Sequence, residues 1–230
     1  MFHEIDWNVI ISSLPFLFLD GLRFTLTLMI TAAAVGILLG TGLALMRLSS
    51  IRWLSIIAGA YVNLIRSIPL LLVIFWFFFL APHVIQWITG SPRPVQISAF
   101  WLAVMTFSLF EAAYFCEIVR AGIGSVHTGQ SNAAMALGMT YWQRMRFIIL
   151  PQAFRTMVPL LLTQTIVLFQ DTSLVYVVSI VDFLGAASIV AQRDGRLVEM
   201  YLFAAVVYFC ISFAASQAVR QLESRLAIVR

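Results

Sequence analysis

At 230 residues, 62% of them hydrophobic and only 10% charged, the chain is too apolar for a soluble domain, in which about a quarter of residues carry charge. It is an integral membrane protein. The formal net charge of +4 does not point to nucleic acid, because the arginines sit at the ends of apolar runs, where they report membrane topology.

Lysine is absent from the chain, so the phosphate-binding loop that ends in Gly-Lys-Ser/Thr is excluded, and an ATP-driven step would need another subunit. Cys116 and Cys210 lie within apolar runs and form no metal pattern, which leaves them as small membrane-embedded side chains. His3, His83 and His127 are scattered. A membrane enzyme would have to assemble its nucleophile, base and metal ligands from isolated residues, so the chain is read as a non-enzyme without a cofactor of its own.

Glu4 and Asp6 stand where a secretory signal needs basic residues, and no small-residue cleavage site follows, so the N-terminus is expected to be kept. Trp7, Ile10, Ile11, Leu14 and Phe18 recur at helical spacing, which predicts a segment lying along the membrane surface. A spanning helix needs about 20 mostly apolar residues. Five stretches qualify: Leu22 to Met46, Ile56 to Leu80, Ile97 to Val119, Met157 to Val181, and Val198 to Val219. Gly36 and Gly40 in the first form a Gly-x-x-x-Gly pair suited to close helix packing. Pro82, Gly90, Pro92 and Pro94 predict an irregular outer loop, and Trp76, Trp87 and Trp101 suit the interfacial zone.

Arginine placement sets the expected orientation. One set of connections holds Arg47, Arg52, Arg120, Arg144, Arg146, Arg155, Arg220, Arg225 and Arg230. The other holds Arg23, Arg93, Arg193 and Arg196 together with Glu4, Asp6, Asp20, Asp182, Asp194 and Glu199. The first set is expected inside, which puts the N-terminus outside and the C-terminus in the cytoplasm. The whole chain then forms one membrane domain, residues 1–230, with a cytoplasmic loop over about 120–156.

Within that loop, Gly129 to Phe154 combines arginines with helical patterning. Ala133, Ala134, Leu137 and Gly138 form a stripe that Trp142, Met145 and Ile149 continue. This predicts a short helix with one face free, where small residues allow a partner's close approach, stopped at Leu150-Pro151 because proline disfavours helical geometry in the residue before it. Gly138 is expected to touch that partner.

Charged groups at membrane depth cost several kcal/mol on insertion scales, so each needs a reason. On the fourth span Thr163, Gln164, Gln170 and Asp171 are expected on nearly one face, widened by Thr172 and Ser173. A polar translocation path competes there with interhelical hydrogen bonding. On the second span Arg66-Ser67-Ile68-Pro69-Leu70 places a cation just before a helix-breaking proline, a place to receive a carboxylate. Pairing of Arg66 with Asp171 or Glu111, or its snorkelling inward, is the competing reading. Glu111 lies near the middle of the third span, where it could meet an ammonium group or a neighbouring arginine. Glu117 and Arg120, three apart on one helix, are expected to pair.

These elements together resemble the permease family of type I ABC importers for polar amino acids. The likeness rests on Asn132-Ala133-Ala134, Gly138 and Ile149-Leu150-Pro151 in the cytoplasmic "EAA" loop, on Arg66 to Leu70, on the run from Glu111 to Gly122, and on Gln170 to Val175. The loop's usual glutamate is Asn132 here. Glu111 and the stretch Gln152 to Tyr176 resemble the subgroup that imports glutamate and aspartate.

The resemblance implies an all-α fold with five transmembrane helices in a bacterial inner membrane. It implies a translocation path through Arg66, Ser67, Glu111, Gln164, Gln170, Asp171, Thr172 and Ser173, and contact with an ATPase subunit through Asn132, Ala133, Ala134, Gly138 and Pro151. It implies as partners that ATPase, a second permease subunit of the same or a related chain, and a periplasmic solute-binding protein. An importer of glutamine or a basic amino acid is the alternative within the class. An ion-gradient carrier is the alternative outside it, although the paired repeats common in such carriers are not evident.

Overall fold

The computed structural model describes residues 6–226, so Glu4, His3 and Arg230 lie outside the described residues. Among these, all regular structure is helical. We label the helical runs α1 (Trp7–Leu48), α2 (Arg52–Arg66), α3 (Leu70–Thr89), α4 (Ala99–Gly124), α5 (Thr128–Ala136), α6 (Tyr141–Val178), α7 (Phe183–Asp194) and α8 (Leu197–Leu226). Five of them, α1, α3, α4, α6 and α8, are long and apolar enough to cross a membrane.

The bundle is built around α4. In its most apolar stretch 72% of residues are buried, against 33% or less in the other four spans, so α4 is the axis and the others present faces to lipid. The glycine pair expected to pack does so. A Cβ on Gly40 would fall 2.8 Å from the Ala112 carbonyl oxygen, 2.8 Å from Phe115 Cβ and 2.9 Å from the Cys116 nitrogen, so only glycine lets α1 lie this close to α4. Near that contact Glu117 accepts from Arg47 of α1 and, at 2.7 and 3.1 Å, from Arg120 one turn along α4. The expected Glu117–Arg120 pair is thus part of a tie between two helices.

Several boundaries differ from the sequence expectations. The segment expected on the membrane surface is continuous with the first span. Ile10 and Leu17 are buried against Phe183, Val190, Met200 and Ala204 of α7 and α8, and Leu14 packs on the same cluster, whereas Trp7 and Ile11 of the expected stripe stay exposed. The second span is divided. Helix α2 ends at Arg66 and α3 begins at Leu70, with Pro69 extended (φ −60°, ψ 134°) between them.

Pro82, expected in the irregular outer loop, and Pro151, expected to end a helix, both lie inside helices. A π-helical turn at Trp76–Leu80 precedes Pro82, and another at Met145–Ile149 precedes Pro151. A wider turn relieves the clash between a proline ring and the carbonyl one turn earlier. The Gln152 side chain also donates to the Ile148 carbonyl at 2.9 Å. The outer irregular segment therefore starts only at Gly90, whose φ of +65° ends α3. Leu150-Pro151 does not stop the cytoplasmic helix, and α6 runs through it into the fourth span.

Helix α7 occupies sequence expected to be a connection. Asp182 starts it, accepting from the Leu184 and Gly185 backbones at 3.1 and 2.8 Å and from the Tyr208 hydroxyl at 3.3 Å. Thr25 of α1 accepts from the Phe183 backbone at 3.0 Å. Asp182 is fully buried, so this N-cap sits where three helices meet. At the other end Arg193 donates to Asp194 at 2.9 and 2.8 Å and holds that carboxyl below its usual range.

Candidate functional site

The break between α2 and α3 opens one wall of a cavity of about 470 Å³. Arg66, Ser67 and Pro69 come from the break, Glu111 and Tyr114 from α4, and Gln164 and Asp171 from α6. Five of the eight residues predicted for a path therefore share one cavity.

Arg66 forms no ion pair among the described residues. Its guanidinium lies over the Tyr114 ring, 5.4 Å from the centroid. The competing expectation, a bridge to Asp171 or Glu111, is not what the geometry holds. Glu111 is fully buried. One oxygen accepts from the Gln164 amide at 3.0 Å, and the other has no partner among the described residues. The cavity thus sets one stacked cation among two carboxyl groups, which lets it meet both ends of a zwitterion.

The other three predicted residues lie elsewhere. Gln170 and Ser173 line a separate groove against α8, and the Gln170 amide donates to Ser212 at 3.1 Å. Thr172 is fully buried and donates to the Phe169 carbonyl at 2.6 Å. The reason is angular. Successive helix residues are about 100° apart, so Gln164 and Asp171 share one face while Thr163 and Gln170 share the next. Tyr114, one turn after Glu111 on α4, is the stacking partner of Arg66. The aromatic ring one turn after Glu111 was the available signal.

The polar loop forms a second candidate surface. Helix α5 ends in a Schellman motif: Met139 donates to the Ala134 carbonyl at 3.1 Å and Gly138 to the Met135 carbonyl at 2.9 Å, with Gly138 at φ +75°. Thr140 then caps α6 in a reciprocal capping box with Gln143. The single continuous stripe expected across the loop is two helices with a turn between them. Asn132, Ala133 and Pro151 are exposed, whereas Ala134 is 3% exposed and faces its own chain. Met135, Leu137, Tyr141 and Trp142 form an apolar surface, and Leu137 is 82% exposed.

Residues 34–228 match the family described as the binding-protein-dependent transport system inner membrane component. The chain belongs to this family. This permease is accordingly a multi-pass inner membrane protein and a component of a transport system that works with a binding protein. It is 56% identical over 227 residues, 98% of its own length and 100% of the relative's, to the glutamate/aspartate import permease protein GltK of Escherichia coli O157:H7. It is 32% identical over 225 residues, 96% of its length and 99% of the relative's, to the arginine transport system permease protein ArtQ of Bacillus subtilis (strain 168).

A crystal structure of an amino acid ABC transporter with histidines contains a chain with the same fold. Its TM-score is 0.86 at 32% identity, covering 97% of this permease and 100% of that chain. The fold expected from the sequence, five transmembrane helices in an ABC-importer permease, is the one found.

Proposed function

We propose that the chain is the transmembrane permease of an ATP-driven importer of glutamate and aspartate. The observation that carries this reading is identity of 56% along the whole chain to a permease named for those two substrates. The cavity of Arg66, Ser67, Glu111, Gln164 and Asp171 is the path. The stacked Arg66 receives a carboxylate of the substrate and Asp171 its ammonium group. Gln170, Ser173 and Thr172 support the helices around that path.

The family supports the remaining parts of this reading. A solute-binding protein delivers substrate from the periplasm, and a second permease subunit completes the membrane unit. A separate ATPase docks on the α5–α6 turn, reading Asn132, Ala133 and the apolar side chains beside them. ATP-driven closure of that motor rocks the spans between outward and inward openings. In this reading the N-terminus lies outside and the C-terminus in the cytoplasm, which the arginine distribution supports. Membrane-impermeant labelling of a cysteine placed at Gln130 tests this, since labelling from outside intact cells would reverse the orientation and separate the loop from its motor.

A specific observation favours a second reading. Two carboxyl groups against one guanidinium, if all were charged, would suit a cationic amino acid, and a relative named for arginine transport spans the same length. Reconstituted, ATP-dependent uptake of labelled glutamate in competition with aspartate, glutamine and arginine decides between them. Competition by aspartate but not arginine is the expected result. Uptake that persists without ATP on an intact ion gradient would overturn the reading as a whole.

A further inference from the structure

We propose that the groove between α6 and α8 binds an anionic phospholipid of the cytoplasmic leaflet, its phosphate held by Arg220 and its chains laid along Phe209 and Phe213. The inference goes beyond the transport reading and takes from it only the orientation of the chain and the presence of a second permease subunit.

The groove has a volume of about 530 Å³. One wall is a stripe of α8, Tyr208, Ser212, Ser216 and Arg220, that repeats once per helical turn. Phe209 and Phe213 stand beside it, exposed and stacked with ring centroids 5.5 Å apart. The far end is closed, because the Tyr208 hydroxyl donates to Asp182 at 3.3 Å and the Gln170 amide donates to Ser212 at 3.1 Å. The other end keeps its polar groups free. Of the two serines in the stripe only Ser212 is hydrogen-bonded among the described residues. Arg220 forms no ion pair among them, although Glu223 follows three residues later. Arg220 is exposed and Ser216 half-buried, so both can be reached from the bilayer.

Depth places Arg220 among lipid headgroups. Helix α8 carries no charged residue between Glu199, which pairs with Arg196 at 3.1 Å, and Arg220. At 1.5 Å per residue these two charges are about 30 Å apart, the thickness of the hydrocarbon core. Ser216 lies about 6 Å nearer the midplane, at the level of a lipid's ester groups. Phe213 and Phe209 follow at the level of its chains.

Two features choose the occupant. The side of α6 that carries Gln164 and Asp171 lies roughly a third of a turn or more from the side that carries Gln170 and Ser173. In the proposed assembly a second permease subunit closes the path, so it meets the first side and leaves the groove to the bilayer. The groove also holds one cation and no carboxyl group. A phosphodiester can take the guanidinium fork and the Ser216 hydroxyl together, whereas the ammonium of a zwitterionic headgroup finds no acidic partner there. The cytoplasmic leaflet, rich in anionic lipid, supplies the match.

The test uses the assembled importer, equilibrated with mixed phosphatidylglycerol and phosphatidylethanolamine and then examined by native mass spectrometry. The wild type should retain phosphatidylglycerol in preference. R220Q should retain at least five-fold less, and S216W, which keeps every charge but fills the groove, should lose it to the same extent. R225Q removes an equal charge outside the groove and should retain as much as the wild type. Equal loss in R220Q and R225Q would make the binding a diffuse effect of surface charge and overturn the proposal. So would undiminished retention in S216W, equal retention of the two lipids by the wild type, or loss of the second permease subunit in place of lipid from R220Q. Excess glycerol phosphate should displace none of the lipid, and displacement would reduce the site to one for phosphate alone. Labelling of a cysteine at Gln130 from outside would overturn the orientation by itself, while lipid retention still reports on the groove.

Discussion

The guanidinium of Arg66 lies 5.4 Å from the centre of the Tyr114 ring, at the point where Pro69 interrupts the second span. The ring fixes a long, mobile cation at the cavity wall without neutralising it, which leaves the positive charge available to a carboxylate. A stacked cation of this kind is stabilised by about 0.5–2 kcal/mol.

Removing the ring should therefore weaken uptake without dismantling the fold. Tyr114→Leu is expected to raise the KM for glutamate by roughly 2- to 30-fold, the equivalent of that energy at the tenfold per 1.4 kcal/mol rate. Arg66→Lys keeps the charge and loses the planar fork, so it should be at least as damaging. Initial rates in proteoliposomes measure both, and an unaltered KM in both variants would remove Arg66 from substrate contact.

The α1–α4 contact predicts a contrast between neighbouring glycines. Gly40→Val would drive a side chain into the α4 backbone and should cost about 1–3 kcal/mol, the usual range for overpacking. A Cβ at Gly42 would meet nothing within 4 Å among the described residues, so Gly42→Val should be close to neutral. Thermal unfolding in detergent, followed by tryptophan fluorescence, should show a lowered midpoint for the first variant alone.

At the cytoplasmic turn, adjacent alanines should fail in different ways. Ala133→Asp places a charge on the exposed face and is expected to reduce co-purification of the ATPase while the permease stays folded. Ala134→Phe should destabilise the permease itself, because that side chain is buried. Gly138→Ala adds a Cβ at positive φ, at a cost of about 1 kcal/mol, and should fray α5 without creating any clash. Hydrogen exchange over residues 128–136 separates fraying from lost docking. Gly138 acts first as a helix stop, whatever it touches in the partner.

Asp182 predicts a local effect. Asp182→Ala removes the cap of α7 and the acceptor for Tyr208, and loss of a cap costs about 0.5–2 kcal/mol. Faster hydrogen exchange confined to Phe183–Asp194 is the expected outcome. Asp182→Asn, which can still cap, should restore most of the protection. Equal exchange in all three proteins would mean that packing alone holds the helix.

The sequence by itself determined that this is a membrane bundle of five spans, because apolar length is a local quantity that a bilayer reads directly. It also picked out Arg66, Glu111 and Asp171, since an ionisable residue in an apolar run is conspicuous wherever the chain goes. Gly36 and Gly40 were legible for the same reason, as spacing on one helix.

What the tertiary structure decided was which neighbour each face meets. Gln170 and Asp171 are adjacent in sequence, yet one is hydrogen-bonded to α8 and the other lines the cavity. Ala133 and Ala134 divide between solvent and core in the same way. Helix α7 escaped notice because it is short and rich in small residues, and it is held by Asp182, Thr25 and Tyr208 from three distant parts of the chain. Pro82 and Pro151 did not end helices, because π turns shifted the carbonyls that would have clashed. A pattern along one helix records which side chains are alike, whereas their partners come from other helices and exist only once the bundle has closed.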